Sequence, residues 1–265
     1  MAVKPKATPE PSTAVSRAKV VLPAAVIAAM NTDVAAFQDR LGAPAGSRIA
    51  ITQDRKFRDP LGTKHDTVSG IIVDFIAKKA WYVNEYDKDN IVPPNCFTLG
   101  FEPHDSMEPS PNSPERQNDG CKLCPKNQFK TARNGKGKAC KDAYIVALLP
   151  PDFEADTPLM TLEISATGLR PFEKYVRDLA RDYGRAPYCF STEFSMDEAV
   201  DYSSVRTGNP QELNGAQVAM VLARREEAAK MLAVEPNVSE FDEKVRAPAL
   251  AAPKRAAPRA AAARK

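Results

Sequence analysis

Residues 68–83 read VSGIIVDFIAKKAWYV. Branched and aromatic residues dominate this run, and it predicts the longest strand of a β-rich fold. Gly70 or the Lys78–Lys79 pair is where a bulge or turn would fall. Alternation along a strand puts Lys79, Trp81 and Val83 on one side and Lys78, Ala80 and Tyr82 on the other. Cations beside aromatic rings are what a reader of single-stranded nucleic acid needs. The plainer alternatives are a core tryptophan and two solvated lysines.

Working outward, shorter strand-like runs flank this one. Upstream lie Arg48–Thr52 and then Lys56–Gly62, a turn-rich basic loop carrying Phe57 and Arg58. Downstream come Cys96–Phe101, Tyr144–Leu149, Leu159–Ile164, Pro187–Met196 and Tyr202–Arg206. Gly168–Tyr183 is the best helix. Leu169, Phe172, Val176, Leu179 and Tyr183 recur at spacings of three and four, Pro171 lies in the first turn and Gly184 stops it. Asn31–Leu41 and the Ala-rich Gln211–Leu232 predict further helices. The expectation is a mainly β chain with helices (α+β), built as an OB-like Greek-key barrel with a C-terminal helix. Such barrels bind single strands on a sheet face and its loops. By segment, residues 1–17 predict a disordered arm, 18–206 the barrel, 207–236 the C-terminal helix and 237–265 a basic Ala/Pro-rich disordered tail.

The sequence between two of these strands is unusual. Four of the five cysteines, Cys96, Cys121, Cys124 and Cys140, are spaced C-x24-C-x2-C-x15-C, and Pro103, Pro109, Pro111 and Pro114 make the intervening chain irregular. A C-x2-C turn aims two sulfurs at one point, and four soft ligands suit a structural Zn²⁺. A bound ion would also pin the ends of a loop this long. In the competing assignment Cys96 is a buried small hydrophobe and His104 is the fourth ligand. Cys189, inside an alternating run, predicts core. From residue 121 to 141 the chain carries Lys122, Lys126, Lys130, Arg133, Lys136, Lys138 and Lys141 and no acid. Four thiolates and one Zn²⁺ sum to a charge of about −2 and would occupy only two of these seven cations. The surplus predicts a polyanion, with phosphates held along this segment and Phe129 among the stacking candidates.

Composition bounds the rest. The 265-residue chain has a formal net charge of only +3, so any nucleic-acid footprint has to be local. Charged residues at 27% and hydrophobic ones at 43% are ordinary for a soluble globular protein. No apolar run approaches the roughly 20 residues of a membrane span. Val20–Met30 contains Pro23 and leads into a helix start, which argues against a signal peptide. An odd number of cysteines at metal-type spacing predicts a reducing compartment. There are two histidines, His65 and His104, and no GxSxG, HExxH, P-loop or paired-carboxylate pattern, so the expectation is a non-enzyme.

Residues 71–164 also resemble a known group. Ile72-Val73-Asp74-Phe75, Tyr86-Asp87, Pro93-Pro94-Asn95-Cys96-Phe97, Cys124-Pro125-Lys126-Asn127-Gln128-Phe129 and Gly135-Lys136-Gly137-Lys138-Ala139-Cys140-Lys141 are similar to phage-encoded zinc-containing single-stranded-DNA-binding proteins. The resemblance covers about a third of the chain. It implies an OB-like fold, Cys96, Cys121, Cys124 and Cys140 as zinc ligands, and a role in phage genome replication or recombination in the host cytoplasm. The C-terminus departs from familiar bacterial single-strand binders in being basic instead of acidic. A partner for it would be nucleic acid or an acidic replication or transcription protein. The alternative function is a zinc-knuckle interaction module docking on a polymerase. A zinc-dependent hydrolase would need an open metal position.

Overall fold

A computed structural model describes Pro23, Val26, residues 48–84 and residues 92–238. The expected N-terminal arm, the helix at 31–41 and nearly all of the basic tail lie outside the described residues. Backbone proximity divides the chain into Met1–Ala45 and Gly46–Lys265, and every element named below belongs to the second unit.

Among its described residues the unit is mainly β with three α-helices, and nine strands form one curled, mixed sheet. β4 (Val68–Trp81) is its spine. Along one edge β4 pairs with β6 (Lys141–Leu149). Along the other its first half pairs with β8 (Phe190–Met196) and its second half with β5 (Cys96–Gly100). β7 (Met160–Ser165) joins β6, and β1 (Arg48–Ile51) joins β7 in the one parallel pairing among the described strands. Two-residue strands β2 (Phe57–Arg58) and β3 (Lys64–His65) extend that side, and β9 (Val205–Glu212) extends the other beyond β8. A bulge does interrupt β4, but between Ile72 and Asp74 and not at Gly70 or Lys78–Lys79. Val73 is buried in the core on one face, and the Asp74 carboxylate reaches Arg225 at 3.1 Å.

The sheet stops at a half-barrel. Its two ends approach through Arg55, whose guanidinium donates to the Asp197 carbonyl, and not through a strand ladder among the described residues. One core fills the face covered by α1 (Ala166–Tyr183), where Phe172, Tyr175 and Leu179 meet Ile72, Leu148, Phe194 and Val205. Gly184 ends α1 with a positive φ of 64°, as its sequence position predicts. Pro171 sits deeper in the helix than expected and lacks the N–H that would bond the Thr167 carbonyl. The Ser204 hydroxyl donates to that carbonyl instead, at 3.2 Å. Gly168 lets α1 lie close on β9, because a Cβ there would fall 2.7 Å from Ile164 Cγ2 and 3.2 Å from the Val205 carbonyl oxygen.

The other face holds a second core of Ile71, Val73, Ala147, Leu149, Val221 and Leu232. It is covered by α2 (Gly215–Ala223) and α3 (Arg225–Leu232), which break at Arg224. This corrects the expectation of one helix over Gln211–Leu232 and a helical segment at 207–236, since β9 runs to Glu212 first. Asn214 and Gln217 form a reciprocal capping box that starts α2.

Candidate nucleic-acid interface

Residues 101–140 have little regular structure, yet they are held firmly. Ser110 and Glu115 donate backbone N–H groups to the carbonyls of Phe97 (2.9 Å) and Asn95 (2.7 Å). The Ser113 hydroxyl contacts both the N–H and the carbonyl of Phe97 at 3.0 Å. Met107 is buried against Ala77 and Cys121. These bonds replace the ladder partners that a loop lacks.

Cys96, Cys121, Cys124 and Cys140 all line one small cavity of about 20 Å³, with Lys79 and Trp81 in its walls. Cys121 and Cys124 sit at the start of a 3₁₀ turn, Pro125–Asn127, and the Cys140 N–H donates to the Lys126 carbonyl at 2.8 Å. Burial pushes the Cys121 thiol up to about 11 and the Cys140 thiol up to about 12, and the Lys79 ammonium pulls both back in part. Among the described residues no three His, Cys, Asp or Glu side chains stand in a geometry that could hold an ion. The four thiols are a thiophilic ion's donors in kind and number, gathered at one cavity but not arranged as a centre. His104 is not in this cavity. Its Nε2 lies 2.9 Å from the Ala143 carbonyl and its ring packs edge-on to Tyr144.

Beneath the cavity runs a buried polar network. Lys79 is 1% exposed, and its Nζ lies 2.5 Å from Asp142 Oδ1 and 3.2 Å from Asn127 Oδ1. Lys138 Nζ completes the ring, at 3.0 Å from Asp142 Oδ2 and 3.1 Å from Asn127 Oδ1. Asn127 Nδ2 donates to the Cys121 carbonyl at 2.9 Å, tying the cysteine turn to β4 and β6. Burial alone would raise the Asp142 carboxyl, but the hydrogen bonds and charges of Lys79 and Lys138 hold it below the usual range.

These placements re-sort the residues picked from sequence. Phe57 is fully buried in the core and has no face for a base, and Lys79 is enclosed with Asp142. Both are corrected from contact residues to structural ones. Arg58 is exposed on β2, with β1, β7 and β6 between it and β4. Trp81 is half-buried as a wall of the cysteine cavity, and Lys126 Nζ stands 4.9 Å from its ring centre. Lys78 pairs with Glu163 at 2.9 Å, on the opposite face of the sheet from Lys79. Tyr82 is 40% exposed and Phe129 73% exposed. Lys130, Arg133, Lys136 and Lys141 are exposed along the excursion, and Lys122 with them.

Between the excursion and α1 lies a groove of about 1080 Å³ that sequence reading did not anticipate. Its floor is an aromatic cluster in which Phe75 meets Tyr144 and Phe172 edge-on at 5.4 and 5.2 Å. Phe129 and Phe101 (57% exposed) stand on the excursion side. Arg170 and Arg177 line the helix side. The lining is charge-balanced, with Lys138, Lys141, Arg170 and Arg177 set against Glu102, Asp105, Asp142 and Glu173. Of the cations in the acid-free segment 121–141, Lys138 and Lys141 line the groove, while Lys122, Lys130, Arg133 and Lys136 are exposed elsewhere on the same segment. Phe101 and Arg170 carry no local motif, and only the tertiary fold brings them opposite Phe129.

No family model matches this chain, and neither a curated protein nor a solved structure matches it.

Proposed function

We propose that this chain is a non-enzymatic single-stranded-DNA-binding protein that coats and protects single strands during phage genome replication or recombination in the cytoplasm of the infected host. The observation that carries the reading is the groove itself. It sets an aromatic floor and two exposed phenylalanines beside Lys138 and Lys141, so bases would stack inward while phosphates follow Lys141 and the further exposed cations of the segment that carries Phe129, namely Lys122, Lys130, Arg133 and Lys136. The OB-like assignment rests on the half-barrel together with the sequence resemblance.

Cys96, Cys121, Cys124 and Cys140 would hold a structural Zn²⁺, which supplies folding energy and no chemistry at a closed shell. Two observations support this. The four thiols share one small cavity, and the network beneath it, in which Lys79 and Lys138 face the single carboxylate of Asp142, carries one more cation than anion toward the charge of a tetrathiolate centre. Lys79 and Lys138 are thus read as buttresses of the knuckle, leaving the exposed cations for phosphate.

The test is an anisotropy titration of a labelled oligo(dT) and of a duplex with full-length protein, with metal content measured on the same preparation. The reading expects tighter binding to the single strand and one zinc per chain. Equal or absent binding to the single strand overturns it. Capture of an acidic polymerase without nucleic-acid binding would establish the interaction-module alternative, which the 80% exposed Leu123 on the knuckle favours.

A further inference from the structure

A second depression, of about 440 Å³, opens on the opposite face of the sheet. The register fixes this relation. Ala77 opposes Tyr144 in the groove, whereas the adjacent pair Lys78 and Ala143 points the other way into the second depression. The α2–α3 pair covers Leu149 and Val73 toward the far end of that face, and Lys78, Ala80 and Tyr82 line a part that no helix covers among the described residues.

Two tyrosines, Tyr82 (40% exposed) and Tyr202 (53% exposed), line this depression. The charged lining is balanced, with Lys78 and Lys141 against Asp142 and Glu163, and Arg48 beside it shares the Glu163 carboxylate with Lys78, at 3.2 and 2.9 Å. The two depressions adjoin. Lys141, Asp142, Ala166 and Thr167 line both, at the end of the sheet where β6 begins and β7 passes into α1. Tyr202 is fixed beside that crossing because the Thr167 hydroxyl donates to the Ser203 carbonyl at 2.7 Å.

We infer that the bound single strand does not end in the groove but crosses the end of the sheet past Lys141 onto the other face, where Tyr82 and Tyr202 stack further bases. This rests on the single-strand reading above and adds a path to it. A strand on both faces needs more nucleotides than the groove alone, within the roughly 4 to 16 that one such fold engages. Lys141, exposed at the crossing, would hold the phosphate at the bend.

The experiment compares oligo(dT) of about 5 and about 16 nucleotides on full-length protein, wild type against Tyr202→Ala, Tyr82→Ala and the corresponding Phe substitutions. The expected result is a loss of about tenfold in affinity for the longer oligomer with each Ala variant. The Phe variants keep wild-type affinity because a stacking ring remains, and the short oligomer binds all variants alike. Unchanged affinity of both Ala variants for the longer oligomer overturns the path while leaving the groove reading standing. Equal losses on both lengths also overturn it, by placing the tyrosines within the first site. Failure of wild type to bind either oligomer removes the path together with the reading beneath it.

Discussion

Removing Asp142 probes whether the cysteine-bearing excursion is seated on the sheet by a buried charge network. In Asp142→Ala the Lys79 ammonium, 1% exposed, keeps Asn127 as a partner but loses its counter-charge. Breaking a buried pair by deleting one member costs about 3–5 kcal/mol. For a unit of this size that is a fall in Tm of roughly 6–20 °C. Lys79→Met is milder, because Lys138 still serves Asp142 at 3.0 Å, and its cost is about 1.5–3 kcal/mol. The two variants part company over metal. Lys79→Met leaves a carboxylate beside the thiols and should weaken zinc retention against a chelator, whereas Asp142→Ala leaves cations there and should not. Thermal denaturation followed by circular dichroism, with zinc release timed by a chromogenic chelator, reads both. If Asp142→Ala melts within about 2 °C of wild type, or if both variants release zinc at the wild-type rate, the network does not have the role assigned to it.

Phe129→Ala and Phe101→Ala should each weaken single-strand binding by about 1–3 kcal/mol in anisotropy titrations while leaving Tm unchanged, since both rings are mostly exposed. Gly168→Ala should lower stability by about 1–3 kcal/mol in urea denaturation, because its Cβ would meet Ile164 Cγ2 at 2.7 Å and the backbone of Val205. Asp142 has a folded-state pKa held below its unfolded value of about 3.9, so its stabilisation is complete above that pH and disappears as pH falls through the folded value. Melting curves of wild type and Asp142→Asn should accordingly converge in acid and separate above about pH 5.

Much of this architecture is legible in the sequence where one element carries its own pattern. The β-rich run at 68–83 became β4 and the apolar periodicity of 168–183 became α1, whereas the bulge in β4 falls at Val73 and at neither Gly70 nor Lys78–Lys79. Short edge strands were harder. Phe57–Arg58 and Lys64–His65 are held as strands by pairing partners and not by composition, so Phe57 looks like a loop aromatic until β1 and α1 enclose it. The Ala-rich run after 211 hid a strand end and a helix break, because alanine accepts either and Asn214 sets the true start. Cys96, Cys121, Cys124 and Cys140 line one cavity, though among the described residues no three of them stand in a metal-holding geometry. The fate of each lysine was not readable, since burial of Lys79 depends on Asp142 lying opposite it in β6. The groove was invisible for the same reason, as its two walls are far apart in the chain.

The salt dependence of single-strand binding tests the central claim most directly. With the five exposed cations of segment 121–141 engaging about five phosphates, log K should fall against log salt with a slope of roughly −3.5, and Lys141→Ala should reduce it by about 0.7. A slope near zero, or one that Lys141→Ala leaves untouched, would contradict the account.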